Sequence, residues 1–207
     1  MSEKTKVAVL LGGRNSENYR SCLSAKDVID ALEAKGYLVK TYGMTMEANW
    51  VEFNDLASLR NNLNKENFEI TDESVKEIKD VKVSVLPPES LLQSPVVFST
   101  LMGAWASDGT VQGLLETEIV RFVGSDTLGS AIATDKPTAK LLMQSVEVPT
   151  PALSIINDKN WRRDPLSCVA RANALKMPVV VKPARGSNGV GDRKSTRLNS
   201  SHVALSR

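Results

Sequence analysis

The chain has 207 residues, 42% hydrophobic and 24% charged, with no apolar run of membrane-spanning length; a soluble protein with one good core and part of a second is expected. Its formal net charge is +2, but Arg193, Lys194, Arg197 and Arg207 against Asp192 carry a net +3, which leaves the rest near −1 and implies no nucleic-acid or anionic-membrane partner. The single histidine, His202, lies in that same stretch, and Cys22 and Cys168 are far apart, so histidine triads, His-ligated metals and CxxC chemistry are excluded before residue 192, and a reducing, cytoplasmic compartment fits.

Val7 to Leu11 is a wholly apolar run closed by Gly12-Gly13, the pattern of a parallel strand buried on both faces. A helix is expected next: Ser16 and Glu17 stand at its start, Leu23, Val28, Ile29 and Leu32 form an apolar stripe, and Gly36 ends it. Tyr37 to Met44 reads as a second strand, which completes a strand-helix-strand unit and predicts a parallel sheet. Between Glu47 and Gln93 the pattern is weak. Trp50, Phe53, Leu56 and Leu59 are scattered apolar anchors, and Lys76 to Leu86 reads as a strand or hairpin.

Regularity returns with a strand from Pro95 to Leu101, a capped helix from Asp108 to Glu116 and a strand from Ile119 to Val123. Ser125 to Val146 holds one or two helices, with Pro137 in a first turn. Val148 to Pro151 is a stiff connection into a strand at Ala152 to Ile156, and a helix from Pro165 to Leu175 leads to a strand at Val179. A domain boundary near Gly129 separates residues 1–129 from 130–191.

The segment PVVVKPARGSNGVG, Pro178 to Gly191, couples that last strand to a glycine-rich loop. Gly186, Gly189 and Gly191 let backbone N–H groups approach an anion, and Lys182 adds a fixed positive charge where the strand ends. The loop matches neither GxGxxG nor GxxxxGK[ST], and a surface hairpin with a solvated lysine is the alternative. The run DRKSTRLNSSH that follows resembles, in one reading frame, the translation of an adapter ligated to DNA for short-read sequencing. Residues 192–207 are therefore set aside from the fold as a foreign tail that should not pack, the alternative being an ordinary Ser/Arg-rich tail.

Five segments occur in order: KVAVLLGGRNSE (Lys6 to Glu17) with Ser21 and Ser24, DGTVQGLLE (Asp108 to Glu116), FVGSDTLGSAIATDK (Phe122 to Lys136), PTPA (Pro149 to Ala152) and VVVKPARGS (Val179 to Ser187). Together they resemble the D-alanine–D-alanine ligases of the ATP-grasp superfamily, over Lys6 to about Gly191. The resemblance implies an α/β fold in which a Rossmann-like parallel-sheet domain, residues 1–129, binds substrate and residues 130–191 begin an ATP-grasp domain. It also implies the reaction: ATP phosphorylates the carboxylate of one D-alanine, and the amine of a second attacks the acyl phosphate, for peptidoglycan precursor synthesis.

Residue by residue, Glu17 resembles the family's catalytic acid, holding the ammonium of the first D-alanine by a charge-assisted hydrogen bond, with Ser21 beside it on the substrate side. The alternative for Glu17 is helix capping, worth about 0.3–1 kcal/mol. Lys136 and Lys182 match the lysines that contact ATP phosphates, with Gly186, Ser187 and Gly189 in the covering loop. The Mg2+ ligands and the oxyanion-stabilising arginine would lie beyond Gly191, so an N-terminal fragment, inactive by itself, is expected. The partners implied are D-alanine and ATP, with no nucleic acid or membrane, and a homodimer for the full-length protein.

Departures from the family pattern are specific. Met102-Gly103 stands where the family has His-Gly, Ala106-Ser107-Asp108-Gly109 where it has Gly-Glu-Asp-Gly, and GSNGVG where a pair of serines is usual. They open two other readings: a D-amino-acid or D-hydroxy-acid ligase of changed specificity, and a non-catalytic ligand-binding protein on the same fold. A dinucleotide dehydrogenase is disfavoured, because Gly12-Gly13-Arg14 lacks the third glycine of that fingerprint.

Overall fold

Strand β1 (Lys6–Gly12) buries every residue after the first, because both of its faces are covered. Val9 and Leu11 pack on one side of the sheet, and Ala8 and Leu10 on the other. Burying a leucine fully contributes about 1.5–3 kcal/mol, so a strand with two faces to fill must be apolar throughout. The computed structural model describes residues 5–186 and 188–195. The chain divides between Ala131 and Ile132 into two units.

In the first unit β1 is followed by α1 (Asn18–Ala34) and β2 (Leu38–Met44), which pairs parallel with β1 from Lys6↔Leu38 to Gly12↔Met44. The weak stretch of sequence then builds β3 (Trp50–Phe53), α2 (Leu56–Leu63), a 3-10 turn (Ser74–Glu77), β4 (Val81–Ser84) and the short α3 (Glu89–Leu92). Strands β3 and β4 extend the sheet antiparallel, and the anchors Trp50, Phe53 and Leu59 are buried. The chain returns through β5 (Val97–Ser99), α4 (Thr110–Thr117), β6 (Phe122–Val123) and α5 (Thr127–Thr134). The sheet order is β4-β3-β2-β1-β5-β6, with β1, β2, β5 and β6 parallel to their neighbours among these four.

Helix α1 keeps most of the expected stripe inward, with Ile29 in the core and Val28 and Leu32 packed against it, but its most buried positions are largely polar or small. Asn18, Ser21, Cys22, Ala25 and Ile29 are buried, whereas Leu23 is 49% exposed and Val28 and Leu32 are only partly covered. Polar residues can take the inner face because the backbone of neighbouring elements supplies their hydrogen bonds.

The second unit carries α6 (Lys136–Ser145), α7 (Asp158–Arg163), α8 (Pro165–Asn173), β7 (Val179–Val181) and β8 (Arg193–Ser195). Pro137 sits in the first turn of α6, where its missing N–H leaves no bond unmade. Residues 152–156 form no strand among the described residues; the segment instead lines a cavity described below. The stretch set aside as foreign also departs from expectation at its start. Arg193, Lys194 and Ser195 pair antiparallel with Val181, Val180 and Val179, since ladder bonds use backbone groups that any non-proline residue supplies. Arg193 and Lys194 remain exposed, and residues 196–207 lie outside the described residues.

Candidate functional site

The order of strands locates a crevice before any side chain is considered. From β1 the chain goes to β2 on one side and, later, to β5 on the other, so the direction of winding reverses between β1 and β5. In open α/β sheets ligands bind at such a reversal, outside the carboxyl ends of the strands. Here those ends are the turn of residues 12–17 after β1 and the loop of residues 100–109 after β5.

The turn needs glycine where it leaves the strand. Gly12 has φ +90°, and a Cβ there would lie 2.4 Å from the Met44 carbonyl oxygen. The next residue, Gly13, donates its N–H to that same oxygen at 2.7 Å. The Gly12 N–H goes to Ser21 Oγ at 2.9 Å, and Thr100 Oγ1, 3.3 Å from Ser21 Oγ, donates to the Leu10 carbonyl at 3.0 Å. Ser21 is thus fully buried beneath the turn, with its hydroxyl holding the Gly12 peptide.

Glu17 occupies the N-cap position of α1, and its side chain makes no capping hydrogen bond. Glu17 is nevertheless buried, 4% exposed, with Arg20 Nε 3.8 Å from its carboxylate. A carboxylate at this depth, at the mouth of a winding reversal, can receive a cationic group far more strongly than one on an open surface. Gly103, φ +76°, presses against it: a Cβ there would lie 3.2 Å from Glu17 Cγ.

Two asparagines that pattern reading passed over organise this region. Asn18 Nδ2 donates to the Gly13 and Ile70 carbonyls at 2.7 and 3.0 Å, and its Oδ1 accepts the Ile70 N–H at 2.8 Å. Asn15 accepts the Glu17 N–H and donates across to the β5 loop at Met102 O and Ala104 O. Asparagine beside a glycine turn signals local hydrogen bonding, but no local signal names partners so far along the chain.

The β5 loop carries the departures. Ser107 Oγ donates to the Gly103 carbonyl at 3.2 Å. Trp105, 53% exposed with φ +65°, lies under the Arg14 guanidinium at 5.2 Å and donates its N–H to Asp108 Oδ2 at 2.9 Å. Burial pushes the Asp108 carboxyl up, but hydrogen bonds from Trp105 and Thr110 outweigh it and hold the group below the usual aspartate range.

The second unit holds the other predicted residues. Asp135 caps α6 and pairs with Arg185 Nε at 3.1 Å. Lys136 Nζ donates to the Gly186 and Pro183 carbonyls at 2.7 and 3.3 Å, so it already grips the glycine-rich loop. Lys182 Nζ lies 2.7 Å from Asp192 Oδ2. Gly186 and Gly189 have φ +148° and +74°, and Ser187 lies outside the described residues. Lys136, Lys140 and Lys182 all line a cavity of about 550 Å3 whose walls include Ile155, Leu175 and Val181. Apolar walls with a few cations suit a flat heterocycle carrying anionic groups. Among the described residues no three His, Cys, Asp or Glu side chains gather to hold a metal ion, and no helix is long and apolar enough to cross a membrane.

Residues 6–125 match the family model described as "D-ala D-ala ligase N-terminus". Among curated proteins the chain is 34% identical to a D-alanine–D-alanine ligase of Kineococcus radiotolerans, over 93% of this chain and 54% of that protein. It is 31% identical to the one of Mycobacterium tuberculosis, over 99% and 56%. The chain therefore spans about half the length of the curated relatives it matches. Solved structures of like fold include the VanG D-Ala:D-Ser ligase of Enterococcus faecalis, with TM-score 0.75, 24% identity and coverage of 95% of this chain and 57% of that one. The D-alanine–D-alanine ligase of Coxiella burnetii superposes with TM-score 0.77 at 22% identity, over 97% and 56%.

Proposed function

The chain belongs to the D-alanine–D-alanine ligase family, and from that premise we propose that the protein it encodes joins two D-alanines at the expense of ATP, for peptidoglycan precursors. Glu17 carries the reading: a carboxylate buried at the winding reversal and unused as a helix cap suits the ammonium of the first amino acid. Ser21 contributes from below by fixing the Gly12 peptide. ATP would take the cavity of the second unit, with its phosphates toward Lys136 and Lys182, and Gly186 and Gly189 belong to the loop expected to cover them, whose Ser187 lies outside the described residues. The described residues offer no cluster for Mg2+. A cytoplasmic enzyme acting as a homodimer on small molecules completes the proposal.

A second reading has its own observation. Met102 and Ser107 bring a thioether and a hydroxyl to the β5 loop where the family pattern has a ring and a carboxylate, which favours a ligase of changed amino-acid or hydroxy-acid preference.

Amide NMR on the 207-residue chain tests both. D-Alanine should shift Gly13, Glu17 and Gly103, and Glu17→Gln should weaken that binding by about 1.5–3 kcal/mol while a non-hydrolysable ATP analogue binds as before. Lys182→Ala should do the reverse. Equal D-alanine affinity in wild type and Glu17→Gln would remove the carboxylate from the site. D-Serine or D-lactate outcompeting D-alanine would favour the second reading.

A further inference from the structure

Asn15 hydrogen-bonds to both walls of the crevice. Its Oδ1 accepts the Glu17 N–H at 2.8 Å, which sets the backbone from which the carboxylate projects. Its Nδ2 donates to Met102 O at 2.9 Å and to Ala104 O at 2.7 Å, carbonyls 87 and 89 residues away that flank Gly103. The fit leaves no slack: a Cβ on Gly103 would come within 3.2 Å of both Asn15 Oδ1 and Glu17 Cγ. Around this clamp the β5 loop is held in a conformation that needs holding. Gly103 and Trp105 both have positive φ, which for a bulky aromatic is an outlier that persists only where neighbours over-determine it. The Arg14–Trp105 stack ties the same two segments together a second time.

We propose that Asn15 is a positioning residue for the first-substrate site: it fixes the Glu17 turn and the residue 102–105 loop as one preformed wall, so that the carboxylate meets an incoming ammonium without reordering either segment. The inference rests on the reading of Glu17 as the ammonium anchor, and it adds the device that sets the anchor's geometry. An amide suits both jobs, since the Glu17 side needs one acceptor and the Met102 and Ala104 carbonyls need two N–H donors from one group. Serine could still accept from the N–H two residues on, but it has too short a reach for the loop carbonyls.

The test uses the whole chain with Asn15→Ala and Asn15→Ser, read by amide hydrogen exchange and D-alanine titration. In both variants exchange at Trp105 and Ser107 should accelerate about tenfold or more, the loss of one well-made bond, while Leu10 in β1 exchanges as in wild type. The dissociation constant for D-alanine should rise about tenfold in each. The Glu17 amide shift should return toward wild type in Asn15→Ser and not in Asn15→Ala. Unchanged exchange at Trp105 and Ser107 overturns the clamp, whatever D-alanine does. Faster exchange with unchanged D-alanine affinity overturns its role in positioning. If wild type fails to bind D-alanine at all, the functional reading falls, and exchange alone then decides whether the clamp exists.

Discussion

Replacing Asn18 by alanine should cost far more than an asparagine usually does. The side chain is fully buried and serves three backbone groups: the Gly13 carbonyl, the Ile70 carbonyl and the Ile70 N–H. Each buried group left unpaired costs about 1–3 kcal/mol. A water entering the vacated space would recover part of that, so the expected loss is about 3–5 kcal/mol. Asn61→Ala, on the exposed face of α2, should stay within about 0.5 kcal/mol of wild type. Asn18→Asp sharpens the argument. It keeps an acceptor for the Ile70 N–H but turns an anion toward two carbonyl oxygens, so at neutral pH it should be less stable than Asn18→Ala. Urea unfolding with linear extrapolation measures all three. A loss under about 1 kcal/mol for Asn18→Ala, or an aspartate variant more stable than the alanine one, would refute the view that this amide bolts the residue 70 segment to the glycine turn.

Gly12→Ala should fail by sterics and backbone together, because its Cβ would meet the Met44 oxygen at 2.4 Å with φ at +90°; a drop of several degrees or more in Tm is expected, and an unchanged Tm would contradict the geometry. Burial pushes the Glu52 carboxyl up, but the Lys40 hydrogen bond and the charges of Lys40 and Lys82 hold it below its ordinary value. A depressed folded value means its contribution is complete above the unfolded value, about 4.3, and is lost as pH falls through the folded one. Glu52→Gln should therefore flatten stability against pH in the acid range; the same acid slope in the variant would discount the pair. Burial drives the Cys22 thiol up to about 12, so a thiol reagent at pH 8 should modify it only as fast as the fold opens, and rapid labelling under native conditions would contradict that placement.

The legible part of this fold was the part whose cause is local. An unbroken apolar run can hardly be anything but a strand covered on both faces, and β1 is that strand. Pro137 marks the first turn of α6. On α1 the expected Ile29, Val28 and Leu32 do pack inward, but Leu23 gives way to Asn18 and Ser21, because hydropathy cannot see that backbone partners make those polar residues cheaper to bury. Strands β3 and β4, four residues each, are too short for a period to declare itself. Resemblance singles out Glu17, Lys136 and Lys182 as candidates, whereas no local signal singles out Asn15, whose partners lie 87 and 89 residues away.

That distance has a consequence for how the protein is made. Strand β1 and helix α1 leave the ribosome early, and β2 can pair with β1 almost at once. The opposite side of β1 must wait for β5, whose Val97 pairs with Ala8. Closing a loop of this size costs on the order of 4 kcal/mol in chain entropy, and nothing short of the β1–β5 ladder and its packing repays it. Until β5 docks, Glu17 therefore stands on a sheet with no opposing wall, and Asn15 has no loop carbonyls to hold.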